Sequence, residues 1–454
     1  MKERLNFSRL GFPSSKPTLS GMWDNLEEMK VHFMGIGGSG ASAVASIAKE
    51  RGFTVTGCDK DIDSDFLKEF KIEEIEQGHS VSHLKGVDIL AVSPAIFSSD
   101  PENKELIKAR EKGIMVMTWQ KFMGEYLLKG KLVVSVCGTH GKSTTTAMVG
   151  VLLEEGGFDP TVELGAILPG WRKNFRIGVS KYFVVEADEF NDNFLSIEPE
   201  MAVVTSIEMD HPEYFKDFDS YKRSFRKFLS RAKVLIANMS DQVVREVVGS
   251  LKNKKVIDYS KNLIDFKIYV PGFYNKLNAS AAYQVGLELG IKKEIIKKSL
   301  RGFKGIGRRF EYLGEFKGAL VYIDFAHHPG AIQVVLQTMK EQFPEKKILV
   351  IFQPHMYSRT KTLFNEFVRV FRDADIEKII ILDIYKAREE PIPGVSSKKL
   401  VEMIDDLKVE YRQEAELEQS LIKREVFGEV LFFVGAGPIN KIAQRLVRQK
   451  RGRN

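Results

Sequence analysis

Two glycine-rich turns constrain this chain more than any other feature. Each follows an apolar run of strand length and precedes a stretch of helical character. The second reads Gly138-Thr139-His140-Gly141-Lys142-Ser143-Thr144-Thr145, after a strand expected at 131–136 and before a helix expected at 144–155. Successive backbone N–H groups at a helix N-terminus form an anion cradle. A lysine at the end of such a loop reaches terminal phosphates, and a following hydroxyl ligates Mg²⁺. The loop departs from the usual G-x-x-x-x-G-K-[ST] pattern, because Val136 stands where the first glycine belongs.

The first turn is Gly35-Ile36-Gly37-Gly38-Ser39-Gly40, between an expected strand at 30–34 and helix at 41–51. Its physics suits a pyrophosphate. Asp59 falls at the end of the next strand, where a ribose acceptor stands in dinucleotide folds. On this evidence alone a nicotinamide-dependent dehydrogenase (an NAD enzyme) is open, and so is a non-enzymatic nucleotide-binding regulator.

Strand and helix patterns alternate over the rest of the chain, as α/β folds with parallel sheets require. Strands are expected at 54–58, 87–92, 114–117, 182–186, 201–205, 234–237, 320–324, 347–352, 378–382 and 430–434. Helices are expected at 103–112, 278–289, 330–342 and 362–371. A chain of 454 residues suits three domains. The expected architecture is α/β in three domains. An N-terminal extension (1–29) precedes a Rossmann-like domain (30–127), a central P-loop ATPase-type α/β domain (128–310) and a C-terminal Rossmann-like α/β domain (311–454).

Composition narrows the function classes. No apolar run approaches the roughly 18 residues of a spanning helix, so membrane insertion is not expected. The net charge of +7 is modest for this length. No long basic block is interleaved with aromatics, which argues against nucleic acid. The basic run 445–453 reads as a solvated tail. Two cysteines, Cys58 and Cys137, make no disulfide framework. Residues 1–29 lack the apolar stretch of a secretory signal. A reduced, cytoplasmic setting follows, for a monomer or homodimer.

Polar groups cluster after the expected strands, where open α/β sheets bind ligands. Glu186-Ala187-Asp188-Glu189 and Glu208-Met209-Asp210-His211 offer carboxylates and an imidazole. Mg²⁺ prefers oxygen ligands, so on chemistry alone His211 reads as a loop residue. Arg308-Arg309 could be surface charges or neutralise a γ-phosphate. His327-His328 are too close in sequence to ligate one zinc ion well. In Gln353-Pro354-His355-Met356-Tyr357-Ser358-Arg359-Thr360, His355 and Arg359 could hold a small carboxylate.

Taken in order, these strings, with Ser93-Pro94-Ala95-Ile96, Gly307-Arg308-Arg309-Phe310, Asp324-Phe325-Ala326-His327-His328-Pro329, Asp383-Ile384-Tyr385 and Pro393-Gly394, resemble the Mur ligase family. These are ATP-dependent amide-bond formers of peptidoglycan precursor synthesis, and the likeness covers nearly everything after residue 29. The resemblance implies ATP and Mg²⁺ as cofactors, with Lys142, Glu186, His211 and Arg309 as catalytic groups. Gly138, Thr139, His140, Gly141, Lys142, Ser143 and Thr144 would hold the ATP phosphates. Asn275 and Asn278 would sit near adenine, and Asp324 on the ribose side. Ser143, Glu186 and His211 would bind metal, which reverses the loop reading of His211. Gly35, Gly37, Gly38, Ser39, Gly40, Asp59 and Ser93 would hold a uridine-diphosphate sugar, and His355 and Arg359 the amino acid.

The strings are most similar to members that join L-alanine to UDP-N-acetylmuramate. The alternative within the family is addition of a preformed tripeptide to the same nucleotide. Two departures bear on that choice: Tyr274 stands where alanine-adding members often carry His, and Met356 where some carry a second arginine.

Overall fold

The computed structural model describes residues 29–451, apart from 69, 212–213, 388 and 424–427. The expected extension therefore lies, but for Met29, outside the described residues. Three sheets follow one another along the chain.

The first sheet contains β1 (Lys30–Met34), β2 (Thr54–Asp59), β3 (Ile75–Gln77), β4 (Ile89–Val92) and β5 (Met115–Thr118). Its order is β3-β2-β1-β4-β5, and every pairing is parallel. This is the Rossmann order. The order reverses between β1 and β4, which opens a crevice beyond their C-terminal ends. The turn after β1 and Ser93 after β4 both lie there.

The second sheet contains β6 (Leu132–Cys137), β7 (Thr161–Leu168), β8 (Lys173–Arg176), β9 (Tyr182–Glu186), β10 (Met201–Val204), β11 (Val234–Ala237) and β12 (Lys255–Asp258). The order β12-β11-β10-β6-β9-β7-β8 puts β6 in the middle, so the loop after it is flanked by the ends of β9 and β10. The third sheet contains β13 (Glu311–Phe316), β14 (Ala319–Asp324), β15 (Ile348–Phe352), β16 (Lys378–Ile381), β17 (Val409–Tyr411) and β18 (Val430–Val434), in the order β13-β14-β18-β15-β16-β17.

The central strands are apolar throughout because helices cover both faces. All residues of β4, β10, β11, β15 and β18 are buried. Two edges depart from the expected parallel arrangement: β8 and β13 pair antiparallel with β7 and β14. A short return suffices for an antiparallel partner, and both edges carry charges that hide the strand pattern. The basic run is also corrected. Helix Ile439–Arg451 takes up most of it, with Ile442, Ala443 and Leu446 buried beneath the third sheet and Arg445 paired with Glu418 at 2.9 Å. Residues 452 and 453 lie outside the described residues.

One apolar cluster runs through the first and second sheets, from Phe33 and Phe122 to Phe183 and Phe225. Polar contacts reinforce the junction: Asn174 Nδ2 donates to Ser39 O at 2.6 Å, and Arg51 Nη2 to Thr161 Oγ1 at 2.9 Å. The clusters of the third sheet contain only residues from Phe310 onward. Among the described residues, no helix is long and apolar enough to cross a membrane.

Candidate active site

The loop after β6 is shaped by what its glycines must avoid. Gly138 has φ +128°, and a Cβ there would run into Thr205 Oγ1 and the Ser206 backbone. Gly141 has φ +81° and caps helix Lys142–Glu155, which begins two residues before the expected start. Lys142 and Ser143 therefore open the helix, beside its unpaired N–H groups. The loop after β10 braces this turn. Thr139 N donates to Ser206 O at 2.8 Å, and Thr139 Oγ1 donates to Glu208 O at 2.9 Å.

Lys142 Nζ contacts Glu189 Oε2 at 2.9 Å and Gly138 O at 2.6 Å. Burial opposes its charge, but Glu189 and Asp188 more than offset this and hold the ammonium above its ordinary range. Ser143 Oγ donates to Glu186 Oε1 at 2.9 Å, and Gly165 N donates to Glu186 Oε2 at 2.8 Å. His211 falls in a close group with Asp188 and Glu189, their donor atoms within 4.8 Å of one another. Burial, and then Glu189, push the Asp188 carboxyl up to about 6. Such crowding of hard oxygen donors fits a divalent cation of the Mg²⁺ kind. Asp188 and Glu189 lie within the acidic string read from sequence, but only the sheet order brings them against Lys142 and His211.

A cleft joins the second and third sheets. Thr139, His140, Gly141, Ser143 and Thr144 line one side. Arg309, Asp324 and His328 line the other, with Tyr274, Leu277 and Asn278 between. Helix Phe273–Glu288 starts five residues before the expected 278, so Asn275 and Asn278 lie one turn apart on it. Asn275 Nδ2 donates to Pro271 O at 2.7 Å, and Asn275 Oδ1 accepts from Asn278 Nδ2 at 3.3 Å. It thus braces Asn278. The two adjacent arginines have different surroundings. Arg308 Nη2 donates to Gly435 O and Gly437 O, both at 2.8 Å, whereas Arg309 reaches the cleft. Both Asp324 oxygens accept backbone N–H groups, from Phe310 and Ala326 at 2.7 Å each.

His355 and Arg359 follow β15. Arg359 Nη1 lies 3.1 Å from His355 Nδ1, and Nη2 lies 3.6 Å from Asp210 Oδ1 in the second domain. Burial opposes ionisation of Asp210, but the neighbouring His211 and Arg359 hold its carboxyl well below the usual range. Asp210 and Glu208 lie in the acidic string read from sequence, but their partners were not legible there: Arg359 comes from a different sheet, and Glu208 pairs with His140 at 3.2 Å.

In the first sheet, Gly37 N donates to Asp59 Oδ2 at 2.8 Å, so that carboxylate ties down the turn. Gly35 has φ +85°, and a Cβ there would lie 2.7 Å from Ser93 Cβ. The turns after β1 and β4 therefore meet at the crevice.

Three matches cover the chain: the Mur ligase family catalytic domain over residues 30–130, the Mur ligase middle domain over 136–282, and the Mur ligase glutamate ligase domain over 308–437. The chain belongs to the Mur ligase family. Among its relatives, the UDP-N-acetylmuramate–L-alanine ligase of Caldicellulosiruptor saccharolyticus is 37% identical, over 92% of this chain and 98% of the relative. The enzyme of the same name from Aquifex aeolicus is 33% identical, over 92% and 97%. The crystal structure of the UDP-N-acetylmuramate-alanine ligase of Thermotoga maritima superposes with a TM-score of 0.76 at 26% identity, covering 94% of this chain and all of that one. A murein peptide ligase from Psychrobacter arcticus shares the fold, with a TM-score of 0.69 at 20% identity over 92% of this chain and 98% of that one.

Proposed function

We propose that this chain joins L-alanine to the lactyl carboxylate of UDP-N-acetylmuramate, with ATP supplying the energy, in cytoplasmic peptidoglycan precursor synthesis. The observation that carries this reading is the contact of Arg359 with Asp210 at 3.6 Å. It supports reading Arg359 as a carboxylate anchor close to the groups proposed for phosphate and metal. The names of the relatives at 33–37% identity support L-alanine as the acceptor over a tripeptide. Neither they nor the second phosphate loop favour a nicotinamide enzyme.

The division of labour follows the three sheets. Residues 30–127 hold the sugar nucleotide through Gly35, Gly37, Gly38, Ser39, Gly40, Asp59 and Ser93. Residues 128–310 hold ATP through the 138–144 loop, with Asn278 braced by Asn275 at the adenine side. Residues 311–454 hold the amino acid through His355 and Arg359, and Asp324 on the ribose side. A free carboxylate is a poor acylating agent, so the lactyl group is phosphorylated first. Its acyl phosphate is then attacked by the amine, and phosphate leaves. The protein's work is positioning and charge neutralisation. Lys142, which opens the helix behind the cleft loop, and Arg309, on the facing wall of the cleft, would neutralise the transferred phosphoryl group. Ser143, Glu186 and His211 would hold Mg²⁺, which neutralises phosphate oxygens. One chain carries every residue invoked, so a monomer suffices and a homodimer needs no shared residue.

The test is phosphate release with ATP, UDP-N-acetylmuramate and a panel of L-alanine, L-serine, glycine and the tripeptide. L-Alanine should give the highest kcat/KM. A higher value with the tripeptide, or release that does not depend on the sugar nucleotide, would overturn the reading.

A further inference from the structure

Behind the turn that follows β1, four side chains from four elements converge. They are His32 on β1, Cys58 on β2, His83 in the short turn Val81–Leu84 and Glu105 at the start of helix Lys104–Glu111. All four are buried, with exposures of 1%, 0%, 7% and 1%. One donor atom from each lies within 4.8 Å of every other. None of them takes part in the site described above.

We propose that His32, Cys58, His83 and Glu105 form a structural site for Zn²⁺. Tetrahedral zinc with Zn–N and Zn–O near 2.0–2.2 Å and Zn–S near 2.3 Å places its ligands about 3.3–3.6 Å apart. Here Glu105 Oε1 lies 3.3 Å from His32 Nε2, 3.2 Å from His83 Nδ1 and 3.9 Å from Cys58 Sγ, and Glu105 Oε2 lies 3.6 Å from the same sulfur, so a small shift of the carboxylate completes the set. His32 Nε2 is buried, and its contact with Glu105 lacks hydrogen-bond geometry. Thiolate and carboxylate together balance a dication. Imidazole and thiolate donors select zinc over Mg²⁺ or Ca²⁺.

The surroundings resemble an outer shell that orients ligands. Thr56 Oγ1 sits 2.9 Å from His32 Nδ1, and Glu76 Oε2 sits 3.1 Å from His83 Nε2. Ser80 N donates to Glu105 Oε2 at 3.0 Å, leaving Oε1 toward the two imidazoles. His79 Nδ1 backs the sulfur at 3.2 Å. A bound ion would staple β1, β2 and the helix beneath the glycine turn, because Cys58 O accepts from Gly35 N at 2.8 Å. Its role is to stiffen that turn.

The test uses the full chain, stripped with a chelator and titrated with Zn²⁺ and with Co²⁺ as a spectroscopic stand-in. The expected results are about one Zn²⁺ per chain and a cobalt spectrum with a thiolate charge-transfer band and tetrahedral d–d intensity. An ion held by the phosphate site has no thiolate ligand there and gives no such band. Cys58→Ser should lose the band. Glu76→Gln alters a carboxylate on the surface, so folding is retained and checked by circular dichroism. It should weaken Zn²⁺ binding about 10- to 100-fold in competition with a chromophoric chelator. Absence of the band in the unaltered chain, its survival in Cys58→Ser, or unchanged affinity in Glu76→Gln would each overturn the assignment.

Discussion

Lys142 Nζ lies 2.9 Å from Glu189 Oε2, a carboxylate with no exposed side-chain surface. The lysine proposed to meet the ATP phosphates is thus held by a buried counter-charge from the neighbouring strand end. Removing one preorganised charge from a transfer site typically costs about 3 kcal/mol, roughly 100-fold or more in rate. Breaking a buried pair also strands the other partner, at about 3–5 kcal/mol of stability. Lys142→Ala should therefore lose at least about 100-fold in phosphate release and unfold at lower urea. The double variant Lys142→Ala/Glu189→Gln should recover much of the stability and none of the activity. A single variant with near-full activity would remove Lys142 from the chemistry.

Arg359 is proposed to orient the carboxylate of the incoming amino acid, steadied by His355 and by Asp210. A hydrogen bond to a charged group contributes about 1.5–3 kcal/mol, or roughly 10- to 150-fold. Arg359→Ala should raise the KM for L-alanine by that range and leave the KM for ATP unchanged. Arg359→Lys keeps the charge but not the planar fork, so it should recover only part of the loss. Steady-state kinetics with each substrate varied in turn separates the two constants. A rise in the KM for ATP alone would place Arg359 on the nucleotide.

The central strands were legible in the sequence because burial on both faces writes them as unbroken apolar runs. β9, β11 and β18 begin and end where the residues suggest. Most edge strands were not, β5 at Met115–Thr118 being the exception. β3, β12 and β17 are three or four residues long and carry charges. β7 hides its pattern behind Glu163 and Gly165, and only the buried position of Glu163 beside Glu186 explains its place in the sheet. The phosphate loop was legible because its chemistry is local. The pairings of Lys142 with Glu189 and Arg359 with Asp210 were not, because each needs to know which strand ends lie side by side.

Gly141 holds a left-handed conformation at φ +81°, and a Cβ there would press on Asn278 Oδ1. A left-handed residue with a side chain costs about 1–2 kcal/mol. Gly141→Ala should lower stability by about that amount. It should weaken a non-hydrolysable ATP analogue more than it weakens the sugar nucleotide, because the turn and Asn278 line the same cleft. Calorimetric titration with each ligand checks this. Equal weakening of both ligands would point to a general loosening instead.

The apolar core continues from the first sheet into the second, whereas the clusters of the third sheet stay within it. The Arg359–Asp210 contact and the facing rings of His140 and His328, 5.4 Å between centroids, instead bridge the cleft to the third domain. With no shared apolar core holding it to the other two, the third domain is the one expected to swing. An acyl phosphate needs water kept away, and closure over it achieves that. Small-angle scattering should show a smaller radius of gyration when a non-hydrolysable ATP analogue and UDP-N-acetylmuramate are both added. Hydrogen exchange should slow at residues 138–144 and 324–330 while the junction around Asn174 stays unchanged. An unchanged radius together with slowed exchange at Asn174 would move the hinge to the first domain.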